Sequence, residues 1–279
     1  MNKLTEMQQA QLNILHELDK LCKDNHIQYF IIGGSAIGCI RHQGFIPWDD
    51  DIDVGILRPD YDRFVDLAHD HWKGRIQIRN YKFDQDFNQC LTHAIDTSIH
   101  ILDEERICPV KTYVWIDVNP LDGFPANGIR QKLHYFRLRY IKNLIVLSDF
   151  ERLFDLNKQR SKPERIIISF IKKINPFKHM NTKELITKLE RVLKKYNVNE
   201  SPCIGNFVGR YKQKEIMPRK IFEGISEMQF EDSVVPVMQG YDNYLRQLYG
   251  DYLTLPPMEE RINRHAMKVI NNNKSIGYE

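Results

Sequence analysis

Residues 33–56 read GGSAIGCIRHQGFIPWDDDIDVGI, and this stretch decides the predicted fold. Its second half contains four aspartates within five residues: Asp49, Asp50, Asp51 and Asp53. Carboxylates this close repel one another unless solvent or a cation neutralises them. From Asp51 onward, acidic and aliphatic residues alternate, and alternate side chains share one face of a β-strand. The pattern therefore predicts a strand with Asp51 and Asp53 on one face and its aliphatic side chains in a core.

Two neighbouring carboxylates on a rigid strand offer hard oxygen ligands, which suit Mg²⁺ or Mn²⁺. A charged loop that merely precedes a strand is the simpler alternative, and the alternation argues against it. An EF-hand calcium loop opened by Asp49 is excluded by two positions. Its sixth residue would be Val54 where the loop needs Gly, and its twelfth would be Asp60 where the loop prefers Glu.

The composition bounds the class of protein. With 279 residues, 42% of them hydrophobic and 28% charged, the chain suits one large domain, or one domain with an appendage, built on a real core. A net charge of +3 is too small to indicate nucleic acid as a partner. The five cysteines lack any CxxC spacing, which indicates reduced thiols and no zinc site. A polar N-terminus and the lack of a long apolar run predict a cytoplasmic protein.

Periodicity gives a coarse order of elements. We expect helices over about 4–23, 35–41, 129–155, 181–196 and 241–249, and strands over about 28–32, 51–56, 75–81, 90–102 and 113–118. Ser35 and Asp60 are predicted to cap helices, and Asn181 followed by Glu184 predicts a capped start for the helix at 181–196. Residues 119–123 (NPLDG) are predicted to form a turn. The change from strand-bearing to mostly helical sequence places a boundary at residue 128. It divides a catalytic region, 1–128, from a mostly helical region, 129–279, that packs on it on the acceptor or substrate side.

Residues 160–176 (RSKPERIIISFIKKINP) are basic and aliphatic. One interpretation is a helix that lies on a membrane surface, with its isoleucines buried and its lysines near the headgroups. The other is an ordinary core helix with a solvated cationic edge, which is more usual for isoleucines at helical spacing.

Asp117 is a lone acid inside the aliphatic strand predicted at 113–118. If that strand lies beside the first acidic strand, Asp117 joins Asp51 and Asp53, and three carboxylates around one or two divalent ions form a phosphoryl- or nucleotidyl-transfer site. A purely structural acid is the alternative for Asp117. The turn at Gly34 and Ser35 adds backbone N–H groups and a hydroxyl, which favour a bound phosphate.

The stretch 33–64 (GGSAIGCIRHQGFIPWDDDIDVGILRPDYDRF) resembles the LicD family of the nucleotidyltransferase superfamily, and residues 114–125 (VWIDVNPLDGFP) and 248–261 (LYGDYLTLPPMEER) resemble two further blocks of that family. The resemblance implies an α+β fold of the DNA polymerase beta-like type, in which helices flank a mixed sheet. It also implies a transferase that moves a phospho-alcohol group, commonly phosphocholine, from a CDP-linked donor to a sugar hydroxyl of a cell-surface glycopolymer, such as teichoic acid, lipopolysaccharide or capsule, or of its precursor. CMP would be released.

In that resemblance, Asp51 and Asp53 match the metal-binding pair, Asp117 matches the third acid and candidate base, and Gly34 and Ser35 match the donor-phosphate turn. Asp49 and Asp50 belong to the family string without an assigned role.

Arg41 and His42 follow the turn and are candidate contacts for the donor diphosphate, with a plain surface role as the alternative. Three other functions stay open: ribitol- or glycerol-phosphate transfer, nucleotidyl transfer that keeps the nucleotide on the acceptor, and a binding protein with a lapsed site. A peripheral contact with the inner face of a membrane also stays open.

Overall fold

The structure is a computed structural model that describes residues 4–104, 109–154, 168–169, 171, 174–263 and 267–270. The described helices are α1 (Glu6–Asp24), α2 (Gly33–Ile37), α3 (Arg58–His71), α4 (Ile129–Ser148), α5 (Phe150–Leu153), α6 (Thr182–Leu193) and α7 (Tyr241–Tyr249). The described strands are β1 (Tyr29–Ile31), β2 (Asp53–Leu57), β3 (Ile76–Arg79), β4 (Thr92–Asp103), β5 (Val110–Phe124), β6 (Cys203–Gly205), β7 (Ile216–Pro218), β8 (Ile225–Phe230), β9 (Ser233–Met238) and β10 (Met267–Val269). Short 3₁₀ turns span Lys212–Glu215, Arg219–Phe222 and Met258–Glu260, and a π-helical turn spans Gly38–His42.

Eight of the described strands form one mixed sheet in the order β1-β2-β5-β4-β10, with β3 on β4 and with β6 and β7 beyond β5. The β2–β5 pair is parallel and the other pairs are antiparallel. β8 and β9 form a separate hairpin. Helices pack against this mixed sheet, which confirms the predicted α+β class.

The aliphatic side chains of the acidic stretch lie in the core as predicted, since Ile52, Val54 and Ile56 are fully buried. The strand itself begins only at Asp53, so the prediction that Asp51 lies inside it is wrong. Just before Asp53, the carbonyl oxygen of Ile52 still accepts a backbone hydrogen bond from Asp117 of β5 (2.9 Å), while the residues before it are held by side chains of α1. Gln11 of α1 donates through Nε2 to the carbonyl oxygens of Asp50 (2.7 Å) and Trp115 (3.1 Å).

The predicted turn at 119–123 is wrong, because β5 continues through it to Phe124. Pro120 is tolerated for a geometric reason. The backbone N–H of Asp117 donates to Ile52 on the β2 side, and donors alternate between the two edges of a strand, so the nitrogen of Pro120 faces the other edge. On that edge β4 begins only at Thr92, which pairs with Val118, so this strand does not extend to the position opposite Pro120. The missing proline donor therefore costs no hydrogen bond to β4.

Two predicted helix caps are wrong and one is confirmed. α2 begins at Gly33, so Ser35 lies inside the helix, and α3 begins at Arg58, so Asp60 lies in its first turn and pairs with Arg63. Pro59 at the start of α3 explains the earlier beginning, because its fixed φ suits the first helical turn. Asn181 caps α6 as predicted, by accepting from the N–H groups of residues 183 and 184.

The region after residue 128 contributes β6, β7 and β10 to the same sheet, so it is not built of helices alone. The division of the chain at that residue stays a prediction. Most of residues 160–176, including the greater part of the isoleucine run, lie outside the described residues. Within the described ranges, no helix combines the length and the apolar character needed to cross a bilayer.

Candidate active site

The turn between β1 and α2 is built for close approach. Gly33 has φ +60°, a left-handed conformation that glycine adopts without strain. A Cβ atom on Gly33 would lie 3.0 Å from Oδ2 of Asp53, and one on Gly34 would lie 3.0 Å from Oδ2 of Asp49. The absence of side chains at both glycines therefore lets two carboxylates stand directly against the backbone of the turn.

Ser35 connects this turn to the acidic stretch. Its Oγ accepts from the N–H of Asp53 (2.9 Å) and donates to the carbonyl oxygen of Asp51 (3.3 Å). The side chain is buried, and its hydroxyl is occupied by these two backbone bonds. The geometry assigns Ser35 the task of holding the turn and β2 together, while its predicted contact with a donor phosphate stays a prediction.

Asp53 and Asp117 lie at directly paired positions of the parallel strands β2 and β5. Paired residues of neighbouring strands project to the same face of the sheet, so the two carboxylates lie side by side on one face. Burial, followed by the charges of Asp51, Asp117 and Asp49, raises the pKa of Asp53 well above its usual range, while a hydrogen bond from Asn119 (3.2 Å to Oδ1) opposes this rise. The structure thus gathers the predicted acids into one electrostatic site.

Asp117 has an unusual environment. Its Oδ1 is buried and accepts no hydrogen bond from the residues that the structure describes, although Nε2 of His93 lies 3.1 Å away. The ring of His93 is itself held in place, since it stacks on Trp115 with centroids 4.7 Å apart and meets the ring of Phe87 edge-on. His93 was not predicted from the sequence, because only the pairing of β4 with β5 places it opposite Asp117.

The four aspartates of the acidic stretch are oriented differently. Asp50 turns toward the C-terminal region, where its Oδ2 accepts from Asn263 (2.7 Å). Asp49 stands against Gly34 and adds to the charge around Asp53. Asp50 therefore anchors the stretch, whereas Asp49 belongs to the charged site.

A divalent cation fits the chemistry of this site in part. Carboxylates at paired strand positions and an orphaned buried oxygen of Asp117 are suitable hard ligands. Within the described part of the chain, however, no group of three or more His, Cys, Asp or Glu side chains is arranged so that it would hold a metal ion. The assignment of Asp51, Asp53 and Asp117 as metal ligands therefore stays a prediction.

Arg41 and His42 lie on the π-helical turn after α2, beside a second arginine. The guanidinium groups of Arg41 and Arg261 lie 6.0 Å and 5.5 Å from the centroid of the same Trp48 ring. Burial and the charge of Arg261 lower the pKa of Arg41, and burial and Arg41 lower that of His42. The Nε of Arg41 donates to Nε2 of His42 (3.0 Å).

The remaining hydrogen bonds of Arg41 run to the C-terminal part of the chain, at the carbonyl oxygens of Tyr252 (2.7 Å) and Thr254 (3.4 Å). Tyr252 is buried, as expected if the turn after α7 packs on the catalytic region. Asp251 is exposed and accepts a hydrogen bond from the hydroxyl of Thr254 (2.6 Å).

Tyr244 of α7 is a further residue that the sequence did not reveal. Its buried hydroxyl accepts from the N–H of Gly33 (3.2 Å), and its pKa is raised by burial first and then by nearby acids that include Glu215 and Asp53. Periodicity marks such a tyrosine only as core. Its contact with the turn follows from the packing of α7 on α2, which joins chain segments more than two hundred residues apart.

Acids on paired strands with a glycine turn against them form the kind of site that enzymes transferring phosphate groups use. The family described as LicD/FKTN/FKRP, nucleotidyltransferase domain, matches residues 26–105. A lipopolysaccharide cholinephosphotransferase LicD of Haemophilus influenzae is 31% identical over 285 aligned residues, which cover 96% of this chain and 98% of that protein. The chain belongs to the LicD family, as the sequence motifs predicted.

Two uncharacterized rickettsial proteins share part of the chain. The protein of Rickettsia prowazekii is 43% identical over 158 residues, or 56% of each chain. That of Rickettsia typhi is 25% identical over 157 residues, or 56% of this chain and 47% of its own length.

Proposed function

We propose that this enzyme transfers phosphocholine from CDP-choline to a sugar hydroxyl of lipopolysaccharide or a related cell-surface glycan, with release of CMP. The observation that carries the proposal is the nearly full-length similarity to a lipopolysaccharide cholinephosphotransferase. The arrangement of Asp53 and Asp117 beside a glycine turn supports it, because such a site suits attack on a phosphate.

In the proposed reaction, the acceptor hydroxyl oxygen attacks the phosphorus that bears choline, and the bond from that phosphorus to the CMP oxygen breaks. The hydroxyl proton passes to a carboxylate, for which we propose Asp117. His93 would position this carboxylate, since its ring is fixed 3.1 Å from Oδ1. The negative charge on the donor would lie between the Gly33–Gly34 turn and the cationic group of Arg41 and Arg261.

We further propose that Asp53 and Asp117, with Asp51, hold Mg²⁺ or Mn²⁺. When bound, the cation would neutralise donor phosphate oxygens and the mutual repulsion of the acids. Dialysis against EDTA should abolish transfer, and added Mg²⁺ or Mn²⁺ should restore it. Full activity in EDTA would remove the metal from the proposal.

We also propose that β1, β2 and β5, with the turn between β1 and β2, form the polymerase-beta-like core that the resemblance implies. The antiparallel β1–β2 pair followed by the parallel β2–β5 pair supports this assignment. A crystal structure with CDP-choline would test it. The donor diphosphate should lie at Gly33 and Gly34, and a diphosphate bound elsewhere would contradict the proposal.

The decisive experiment uses CDP-choline labelled in either the choline or the cytidine part, and tests CDP-glycerol and CDP-ribitol, labelled in the same two ways, as alternative donors. We expect choline label on a lipopolysaccharide acceptor and cytidine label in free CMP. Cytidine label on the acceptor would indicate a nucleotidyltransferase. Transfer from CDP-ribitol or CDP-glycerol but not from CDP-choline would assign another alcohol, and no transfer from any of the three would contradict the proposal.

A further inference from the structure

Helix α4 carries a second apolar face that the fold does not use. Its inner face, with His134, Leu138, Ile141 and Ile145, is buried against α6 and the neighbouring core. Large hydrophobic side chains on the outer face are exposed to solvent, at 76% for Ile129, 65% for Leu133, 70% for Phe136 and 57% for Tyr140. A surface helix normally needs one apolar stripe, so the second stripe calls for a partner.

The four exposed side chains form one narrow stripe. At 100° per residue, positions 129, 133, 136 and 140 fall within an arc of about 60°. Cationic residues border this arc on both sides, with Arg130 and Arg137 on one side and Lys132 and Arg139 on the other. The helix contains no Asp or Glu in its twenty residues. An apolar stripe between two cationic borders is the pattern of a helix that lies in a membrane interface.

Two clefts between α4 and α6 extend the basic border. One, of about 460 Å³, is lined by Arg130, Leu133, His134, Arg137, Lys195 and Tyr196. The other, of about 420 Å³, is lined by four cationic residues and one acid, together with Thr187 and Val192: Arg137, Lys183, Lys188, Arg191 and Glu184. Both lie beside the exposed stripe. Such clefts suit the phosphate groups of lipids whose acyl chains would meet the stripe.

We propose that the outer face of α4, with its basic clefts, is a docking surface for an anionic membrane. The charges decide between occupants, because two copies of this face pressed together would bring arginines and lysines of like sign into contact. This inference goes beyond the proposed transfer reaction and does not rest on it, since vesicle binding is measured without donor or acceptor. It also differs from the membrane interpretation of residues 160–176, because it uses only described residues of α4 and α6.

Flotation of the full chain with vesicles tests the proposal. We expect binding to vesicles of phosphatidylcholine with phosphatidylglycerol and little binding to phosphatidylcholine alone. The double substitution Leu133→Ser and Phe136→Ser should lower partition at least about tenfold, because both side chains lose apolar burial. Arg130→Glu with Arg137→Glu should lower it by about fivefold or more per changed charge.

The matched control is Ile225→Ser with Val234→Ser, which removes two exposed hydrophobic side chains from the β8–β9 hairpin. We expect this control to bind as the wild type does, and thermal melts should show all variants folded. The proposal is overturned if the wild type does not bind anionic vesicles, or if the variant Leu133→Ser with Phe136→Ser binds them as tightly as the wild type. A wild-type dimer that the same variant splits, without vesicle binding, would assign the face to a second copy instead.

Discussion

The two ends of the β2–β5 pair treat their acids in opposite ways. Beyond the C-terminal end of β2, Arg58 donates to both oxygens of Asp122 (2.6 and 2.7 Å) and to Glu190 (2.9 Å), and all three side chains are buried. At the other end, Asp53 and Asp117 pair with no Lys or Arg side chain among the described residues. One end is neutralised by a buried arginine, whereas at the other end no cationic side chain of the described residues pairs with Asp53, and the neighbouring acids raise its pKa. The two groups of acids thus differ in whether a cationic side chain lies beside them, and not in which strands carry them.

The largest expected effect comes from breaking the neutralised end. Arg58→Met should lower the free energy of unfolding by about 3–5 kcal/mol, because Asp122 and Glu190 would remain buried without their cation. Urea denaturation measures this. Arg63→Met is the matched control on the same helix, since its ion pair with Asp60 is exposed and should contribute less than about 1 kcal/mol. Equal stability of the two variants would contradict the contrast.

The charged end should respond in activity instead of stability. Asp53→Asn and Asp117→Asn should each slow transfer by about two to three orders of magnitude, or ~3–4 kcal/mol in the barrier. Unfolding free energies should stay level or rise, because repulsion among the acids is relieved. Asp66→Asn, an exposed substitution on α3, serves as the control. A variant that keeps full turnover would refute the assignment of that acid to the site.

Glu215 is another buried acid and extends the comparison, because among the described residues it has neither an arginine partner nor a place among the site acids. Burial raises its pKa from 4.5 to about 7, although the N–H of Tyr211 and the charge of Lys142 oppose the rise. A raised folded-state pKa gives stability that is complete below about pH 4.5 and is lost as pH rises through about 7.

Glu215→Gln should remove this loss, which amounts to at most about 3 kcal/mol. The measurement is the melting temperature of both proteins from pH 5 to pH 8. The exposed Glu227→Gln should leave the wild-type pH profile unchanged. If the melting temperatures of wild type and Glu215→Gln run parallel over this range, Glu215 is not the group responsible.

The smallest effect concerns the two arginines that share the Trp48 ring. Arg41→Met or Arg261→Met should raise KM for the CDP-linked donor about tenfold, or ~1.4 kcal/mol, with little change in kcat. Removal of either arginine also relieves their mutual repulsion, so stability should not fall greatly. Arg246→Met, whose partner Asp242 is exposed, is the control. An unchanged KM would assign Arg41 to packing against Trp48 and the turn at Tyr252.

The alternation from Asp51 to Ile56 predicted the core side of β2, because side chains alternate between the two faces of a strand and this two-residue period is visible in a short sequence. The pairing of Asp53 with Asp117 was also foreseeable, since each acid lies inside an aliphatic strand. The actual bond of Ser35 was not foreseeable. Local preference favours a bond from its hydroxyl to the N–H groups of its own helix, whereas in the structure the hydroxyl accepts from a backbone N–H eighteen residues ahead.

Positions that depend on distant pairing escaped prediction for the same reason. Local rules predict a turn at Pro120. Proline is compatible with a strand there only because β4 does not extend to the position opposite it. His93 and Tyr244 reach the site from β4 and α7, and no spacing within the sequence relates either residue to the acids. The outer face of α4 is of another kind. Its apolar spacing is visible in the sequence, but only the fold shows which of its two apolar faces is covered.

The two bonds of the Ser35 hydroxyl also close a ring of chain. They fix the glycine turn to the start of β2, so the intervening residues 36–50 form a loop whose two ends are already joined. The middle of this loop is held as well, because Phe45 and Ile46 are buried and the backbone of Gln43 and Phe45 bonds to Glu231 of the β8–β9 hairpin. The distance between the glycine turn and Asp53 is therefore set by contacts within the fold, and the loop between them loses little entropy when a donor binds.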